Sequence, residues 1–238
     1  MRTAYTVFRN LYNVRKMTMK LVLASGSQRR RELLTMCGYD YEIIVSNADE
    51  TIDENDPESF VRALSFRKAK EVFDRLFAAG RRDFAVIGSD TVVAFQKEGE
   101  TKPVIIGKPK DAKDAVRILS MLSGKTHRVF TGVSVIADIP DENAAAQCSI
   151  REKAEIQTEC SITEVTFETL SPDEITDYVN SGDPLDKAGS YGIQGPFGMF
   201  VREIRGNYFT VIGMPIPVLY KMLKKIGILP HGFYERIE

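Results

Sequence analysis

The sequence has few of the residues on which zinc cages, disulfide frameworks and histidine catalysis depend. Among its 238 residues are two histidines, three cysteines and no tryptophan. The cysteines, Cys37, Cys148 and Cys160, form no Cys-x-x-Cys pair, so their spacing gives no sign of a zinc cage or a disulfide framework. His127 and His231 stand far in sequence from other candidate ligands. By elimination, this composition favours phosphate chemistry that uses carboxylates, a metal ion and Lys or Arg side chains.

Long hydrophobic runs are also absent. No apolar stretch approaches the roughly 20 residues that a membrane helix needs, so we expect no membrane contact. Hydrophobic residues make up 43% of the chain and charged residues 27%, which is typical of a globular protein with a sizeable core. The low cysteine count fits a reducing, cytoplasmic compartment.

Acidic residues are missing from the beginning of the chain. Residues 1–31 contain eight Lys or Arg and no acid, whereas residues 32–238 contain 24 basic and 33 acidic residues. An acidic body of this kind argues against nucleic-acid binding. We interpret 1–19 as a basic N-terminal extension, 20–230 as one domain and 231–238 as a C-terminal tail. Because the extension is basic and amphipathic, mitochondrial targeting stays open as an alternative location.

Strand-like and helical patterns alternate along the chain. Apolar or alternating runs predict strands at 20–24, 41–45, 84–88, 92–95, 128–137 and 162–170. Helical spacing and capping signals predict helices at 57–77, 111–122, 172–180 and 214–226. The alternation predicts an α/β sheet with crossover connections. The two long runs are interpreted as an antiparallel pair joined by a polar stretch around 140–146.

The segment from Ala24 to Arg31, Ala-Ser-Gly-Ser-Gln-Arg-Arg-Arg, lies between a predicted strand and a helix on which Leu33, Leu34 and Cys37 share one face. Small residues permit close approach to an anion, and a helix start offers unpaired N–H groups and a positive dipole end. The three arginines add planar groups suited to phosphate oxygens. The segment has the features of a polyphosphate site, although a capped helix with a solvated basic first turn explains it equally well.

Four further charged residues are candidates for the same chemistry. Asp90 is placed at the end of a buried strand, where a carboxylate must be paired, bound to a metal or active, unless it caps a turn. Lys108, in Gly-Lys-Pro, is either a phosphate contact or part of a surface turn. Lys68 lies in a helix between apolar neighbours, so it either snorkels or points into a cleft. Glu50 belongs to an acidic run of the kind usually found in solvated loops.

A second dense cluster extends from Asp186 to Gly195, Asp-Lys-Ala-Gly-Ser-Tyr-Gly-Ile-Gln-Gly. Its three glycines permit tight turns, and Gln194 can both donate to and accept from a base edge; a purely structural loop is the alternative. Gly-Lys-Thr at 124–126 ends like a Walker A loop, but the earlier glycine that such a loop requires is replaced by Leu119. We therefore predict no P-loop.

Taken together, these segments resemble the Maf family of nucleoside triphosphate pyrophosphatases. The matching pieces span residues 21 to about 226: Leu23 to Arg30, Gly88 to Val92, Gly107 to Pro109, Leu122 to His127, Pro184 to Gly195 and Val211 to Pro215. The resemblance implies a twisted, mixed α/β sheet bent around a central cleft between two lobes, as in the inosine triphosphate pyrophosphatases. It also implies a homodimer, which family members commonly form.

The activity implied by the resemblance is hydrolysis of a nucleoside triphosphate to its monophosphate and pyrophosphate, assisted by Mg²⁺ or Mn²⁺. Asp90 matches the general base, and Glu50 with Asp90 would hold the metal. The triphosphate would contact the remaining matched positions: Ser25, Ser27, Arg30, Lys68 and Lys108.

The resemblance also bears on the choice of base. Arg29, Thr91 and Gln194 match the group of the family that prefers dTTP and UTP rather than the group that prefers a methylated GTP. Gln194 can pair with the O4 and N3 edge that uracil and thymine share. We expect dTTP and UTP as substrates, with modified pyrimidine nucleotides such as 5-methyl-UTP or 5-methyl-CTP within the same expectation.

Two other functions are weighed against this one. A non-catalytic regulator that binds a division or checkpoint protein would have a degraded cleft, whereas the matched charged residues are intact. A pyrophosphatase directed at non-canonical purine nucleotides stays open, and a panel of nucleotides separates it. The basic extension and the predicted loops at 96–103 and 139–158 are not explained by the family pattern.

Overall fold

The computed structural model describes residues 19–97, 99–139 and 154–231 and contains one mixed sheet of seven strands. The strands are β1 (Lys20–Leu23), β2 (Tyr41–Ile43), β3 (Phe84–Phe95), β4 (Val104–Ile106), β5 (Thr126–Asp138), β6 (Ala154–Phe167) and β7 (Val201–Arg205). Their order is β2-β1-β3-β5-β6-β7, and β4 pairs with β3 outside this path. The pairs β2–β1 and β1–β3 are parallel and the others are antiparallel. The predicted α/β class with a mixed sheet is confirmed.

Six α-helices cover the sheet in the described part of the chain. They are α1 (Gln28–Met36), α2 (Pro57–Ala78), α3 (Ala112–Leu122), α4 (Pro172–Asn180), α5 (Tyr208–Ile212) and α6 (Ile216–Lys225). The predicted bounds hold to within about two residues, and those of α4 match because Ser171 forms a full capping box with Glu174 before Pro172. The short elements β4, β7 and α5, and the 3₁₀ turns between Asp183 and Phe200, were not predicted.

β3 is one continuous strand, which corrects the prediction of two strands at 84–88 and 92–95. Asp90 therefore lies in the middle of a strand and not at the end of one. Along one edge, β3 pairs with β1 as far as Ile87 and with β4 from Val93 onward. Between these two points the edge of β3 has no strand neighbour among the described residues. Asp90 lies in this gap, beyond the carboxyl end of β1, which is where open α/β sheets bind ligands.

β5 and β6 form the predicted antiparallel pair, and both strands are longer than expected. Residues 154–158, assigned to a loop from the sequence, begin β6. That part of β6, Ala-Glu-Ile-Gln-Thr, is short, mostly polar and partly exposed, so its pattern was too weak to indicate a strand. Residues 140–153, which contain the predicted polar connection, lie outside the described residues, as does the basic extension up to residue 18.

Hydrophobic side chains pack on both faces of the sheet. Phe84 and Val86 pack in a cluster with α2, whereas the alternate residues Ala85 and Ile87 pack in a cluster with α1 and α6. A separate cluster around Phe167 joins the far end of the sheet to α3 and α4. In the described part of the chain, no helix combines the length and the apolar character needed to cross a bilayer.

The close approach of α2 to the sheet depends on two glycines. A Cβ atom on Gly132 of β5 would lie 2.2 Å from the carbonyl oxygen of Val61, and one on Gly88 of β3 would lie 2.2 Å from that of Ser65. Both distances are far below van der Waals contact, so only glycine permits the helix to pack at this depth. Because Lys68 lies one turn beyond Ser65, this packing places it beside Asp90.

Candidate active site

A cleft of about 1450 Å³ opens at the gap in the edge of β3. All ten candidate site residues from the sequence line it: Ser25, Ser27, Arg29, Arg30, Glu50, Lys68, Asp90, Thr91, Lys108 and Gln194. They come from six separate parts of the chain, the most distant of them more than 160 positions apart in the sequence. The fold therefore brings the segments together as the sequence predicted, and their roles depend on the contacts described next.

The centre of the cleft is an ion-pair group around Lys68. Its ammonium nitrogen lies 2.7 Å from Oδ1 of Asp90 and 2.9 Å from Oε1 of Glu50. The side chains of Lys68 and Asp90 are each 12% exposed, whereas that of Glu50 is 66% exposed. The buried carboxylate thus has a charged partner, as burial requires. Lys68 points into the cleft, which settles the choice between a cleft and a snorkelling lysine.

The loop that carries Glu50 is anchored to α2 beside Lys68. Nη1 of Arg67 donates to the carbonyl oxygens of Asp49 and Thr51 at 2.8 Å each. These bonds fix the backbone on both sides of Glu50, although the acidic run has no regular secondary structure. Sequence reasoning missed Arg67, because a charged residue in a helix gives no indication of which distant carbonyl groups it contacts.

Arg30 lies deeper in the cleft, held by three hydrogen bonds. Its Nε donates to the carbonyl of Gly213 at 2.8 Å, Nη1 to the hydroxyl of Ser25 at 3.1 Å and Nη2 to that of Thr91 at 3.3 Å. Burial lowers the pKa of this guanidinium, and the nearby carboxylate of Asp90 opposes the change. Arginine is charged at any physiological pH, and the three hydrogen bonds fix the orientation of this cation before any ligand binds. The hydroxyl of Thr91 contacts Arg30 directly.

The helix α1 begins at this cleft without a side-chain cap. Ser27 occupies the N-cap position, but its hydroxyl makes no capping hydrogen bond. The first-turn N–H groups and the positive end of the helix dipole are thus available to an anion. This favours the anion site over the capped helix.

Only two of the three arginines, Arg29 and Arg30, reach the cleft; Arg31 contacts Gly26 O and lines a different depression, which corrects the expectation for it. Successive helical residues point about 100° apart, so three in a row do not share one face.

Two lysines that line the cleft have no charged partner in the described part of the chain. Lys108 and Lys102 both line the cleft, are exposed, and form no ion pair with any described residue. An exposed lysine without an ion-pair partner can bind phosphate oxygens without first breaking an existing ion pair. Lys102 was not predicted, since it belongs to a loop that carries no recognisable motif.

The second predicted cluster forms a turn at the other side of the cleft. The N–H of Gly195 donates to the carbonyl of Gly192 at 3.2 Å, and Gln194 lies within this turn, exposed to the cleft. Nη1 of Arg29 lies 3.2 Å from Oδ2 of Asp186, so an ion pair connects α1 to this cluster. The partly exposed pair contributes little stability, but it holds Arg29 at the rim.

Comparison with known proteins agrees with this geometry. The family model described as Maf-like protein matches residues 20–226. The chain belongs to the Maf-like family. A dTTP/UTP pyrophosphatase of Agathobacter rectalis is 40% identical over 217 residues, covering 88% of this chain and 98% of the relative. A dTTP/UTP pyrophosphatase of Bacillus thuringiensis is 42% identical over 210 residues, covering 88% and 96%.

Among solved structures, the Ham1 protein of Staphylococcus aureus has a TM-score of 0.45 and 16% identity, covering 87% of this chain and 99% of that protein. A likeness at this level has no bearing on what the Maf-like chain binds.

The Maf-like cleft has the donors that a hard divalent cation prefers. Glu50 and Asp90 contact the same ammonium group, so the two carboxylates face one position that a positive charge occupies. The described residues contain no group of three or more His, Cys, Asp or Glu arranged to hold a metal. Mg²⁺ commonly uses one or two carboxylates and completes its shell with waters and substrate phosphates. The residues present therefore fit such an ion when a phosphate ligand is bound.

Proposed function

We propose that this protein hydrolyses dTTP and UTP to the monophosphate and pyrophosphate. The observation that carries the proposal is the convergence, in one cleft, of a buried carboxylate with several fixed or unpaired cations. The two relatives named dTTP/UTP pyrophosphatases support the choice of reaction, because each is about 40% identical over 88% of this chain. Both the catalytic charges and the base-facing turn belong to the matched region.

Asp90 is the residue placed to activate water. Its carboxylate is largely buried and, paired with the ammonium of Lys68, has a second oxygen free to accept a proton. We assign Asp90 the role of general base for attack on the α-phosphorus. Attack of this kind needs a water in line with the leaving pyrophosphate and little covalent chemistry, so positioning and charge supply most of the rate.

The surrounding cations match the charge that develops on the leaving group. Arg30 is oriented before binding, and the start of α1 adds N–H donors. Lys108 is unpaired within the described residues and can move onto a phosphate. We assign these groups, with Ser25, Ser27, Arg29 and Lys68, to the triphosphate, whose negative charge they neutralise.

We further propose that Glu50 and Asp90 hold Mg²⁺ or Mn²⁺ together with the substrate. The bound ion would supply charge neutralisation on the phosphate oxygens. The ammonium of Lys68 lies against the same carboxylates, so we expect Lys68 to turn toward the phosphates when the ion binds.

Gln194 is assigned to the nucleobase. Its amide is exposed to the cleft and makes no hydrogen bond to any described residue, so both its donor and its acceptor are available. The O4 and N3–H of uracil and thymine offer the complementary pair. Modified pyrimidine triphosphates with the same edge, such as 5-methyl-UTP, come within this proposal.

The test is pyrophosphate release from a panel of pyrimidine and purine triphosphates with Mg²⁺ or Mn²⁺. The proposal predicts release concentrated on dTTP and UTP. Gln194→Ala should lower turnover of dTTP more than that of purine nucleotides; an equal loss for all bases would remove Gln194 from base recognition. Preference for inosine or xanthosine triphosphate in the wild type would instead assign the protein to purine nucleotides.

We also propose a homodimer located in the cytoplasm. The family resemblance supports the dimer, and the exposed apolar side chain of Met199, 72% accessible, is of a kind that interfaces cover. Light scattering after size exclusion tests the dimer, and a monomer at micromolar concentration would contradict it. The low cysteine count supports the location, which microscopy of a tagged full-length chain tests.

A further inference from the structure

The turn that carries Gln194 is positioned by its backbone. Gln194 itself is exposed and makes no hydrogen bond to any described residue, so its place in the cleft depends on the turn between Gly192 and Gly195. Glycine at both ends of the turn gives it little intrinsic rigidity. Whatever fixes the backbone of Gly192 therefore fixes the amide that faces the base.

Tyr178, on α4, makes that contact. The N–H of Gly192 donates to its hydroxyl at 3.1 Å, and the hydroxyl donates to Oδ2 of Asp183 at 2.5 Å. The ring is 6% exposed and packs against Phe197 with 4.8 Å between ring centroids. Burial raises the pKa of Tyr178 far above its usual value, so the neutral phenol both donates and accepts.

Asp183 is in turn anchored through Lys187. The ammonium of Lys187 lies 3.0 Å from Oδ1 of Asp183 and 2.7 Å from Oδ1 of Asp186, and the other oxygen of Asp186 pairs with Arg29. The stem of Lys187 also packs beneath the turn, since a Cβ on Gly192 would lie 2.6 Å from its Cε. One continuous network thus connects Arg29, on the phosphate side, with the turn that faces the base.

We infer that Tyr178 is a positioning residue for nucleobase selection: its hydroxyl, anchored by Asp183, fixes the turn that presents Gln194. The inference rests on the proposed function, and it adds a residue that does not line the cleft. The ring alone satisfies the packing around Phe197. Among the described residues, the hydroxyl forms hydrogen bonds to the turn and to the carboxylate of Asp183, so the role it adds to the ring is to orient the turn.

Tyr178→Phe tests this role because it keeps the ring and removes the hydroxyl. We expect kcat/KM for dTTP to fall about tenfold, mostly through KM, because a buried N–H loses its acceptor and the turn loosens. Turnover of a poor substrate such as GTP should be unchanged, so the preference for dTTP over GTP falls by the same factor. An unchanged preference would overturn the inference, whatever happens to the absolute rates.

The matched control is Tyr41→Phe. Tyr41 also has a hydroxyl that is hydrogen-bonded to the backbone: it donates to the carbonyl of Arg31 at 2.8 Å, but it lies outside the cleft. This variant should keep the dTTP preference of the wild type. If Tyr178→Phe does not fold, Asp183→Asn replaces it: it keeps the shape of the side chain and removes the charge that anchors the hydroxyl, and it should lower the preference in the same direction.

Hydrogen exchange provides a readout that does not depend on activity. Peptides containing residues 192–195 should exchange faster in Tyr178→Phe than in the wild type, and equally in Tyr41→Phe. Unchanged exchange would overturn the role of Tyr178 even in an active enzyme. If Tyr178→Phe exchanges faster but the wild type releases no pyrophosphate from dTTP, the proposed function is refuted. The contact by which Tyr178 positions the turn then still stands.

Discussion

Replacing Gly132 by alanine should disable the site through the packing of β5 against α2, without touching any residue that faces the cleft. The new Cβ would lie 2.2 Å from the carbonyl oxygen of Val61 and 2.5 Å from its carbon. Backbone atoms cannot rotate away as a side-chain end can. The helix α2 and the strand must therefore separate by about 1 Å to restore ordinary contact.

That separation acts directly on the pair formed by Lys68 and Asp90. Gly132 is the register partner of Asp90, and Lys68 lies two helical turns after Val61 on the helix that must move. The bond of 2.7 Å between Lys68 and Asp90 cannot survive such a shift unchanged. A misplacement of about 1 Å lowers the rate by about 100-fold. The overpacking itself should lower the free energy of unfolding by about 1–3 kcal/mol.

The assay measures kcat for dTTP beside urea unfolding, with Gly80→Ala as the control. Gly80, just after the same helix, has a φ of +85° and open space around its Cβ position. Alanine there should lower the free energy of unfolding by about 1 kcal/mol through backbone strain and leave kcat unchanged. A folded Gly132→Ala with the kcat of the wild type would refute the claim that close packing sets the Lys68–Asp90 contact.

Three further predictions concern single titratable side chains, those of Arg30, Lys68 and His127. Arg30→Lys should lower kcat/KM for dTTP about 10- to 100-fold in steady-state assays, since a compact ammonium lacks the planar fork that reaches Gly213, Ser25 and Thr91 at once, and wild-type kinetics would contradict this. Lys68→Met should abolish turnover yet strengthen Mn²⁺ binding, because Glu50 and Asp90 lose the ammonium that neutralises them. Electron paramagnetic resonance measures the binding, and weaker Mn²⁺ binding in the variant would count against a cation site shared by the two carboxylates. Burial lowers the pKa of His127 from 6.5 to about 3, so the stability due to its neutral ring is complete above pH 6.5 and declines as the pH falls toward 3. At pH 5 the free energy of unfolding, measured with urea, should be about 2 kcal/mol lower than above pH 6.5. His127→Gln should remove this part of the pH dependence. An identical pH dependence in both proteins would contradict the prediction.

The candidate site residues that line the cleft could be predicted from the sequence because charge and small residues are local properties. The run from Ala24 to Arg30 and the cluster around Gln194 each had a structural alternative when taken alone, and only together did they match a family pattern; the structure brings both to one cleft. The bounds of most helices followed from apolar spacing and capping residues. The pattern around Asp90 correctly indicated an acidic residue at the cleft, but it wrongly placed that residue at the end of a strand. Along one edge, β3 changes its neighbour from β1 to β4, and this change depends on segments that are distant in the sequence.

What could not be predicted is how the groups are held in place. Arg67, Gly132 and Tyr178 each act through backbone atoms of a segment far away in the sequence. A glycine in a strand or a tyrosine in a helix is common, and nothing local indicates the carbonyl or N–H group it will meet. Three adjacent arginines likewise appear equivalent in a sequence, whereas the helix directs Arg31 away from the cleft.

The most direct test of the proposed reaction is to identify its products from dTTP in ¹⁸O-labelled water, by mass spectrometry, with Asp90→Asn in parallel. Attack on the α-phosphorus predicts labelled dTMP, unlabelled pyrophosphate and no products from the variant. Formation of dTDP and phosphate, or label in the pyrophosphate, would contradict the account.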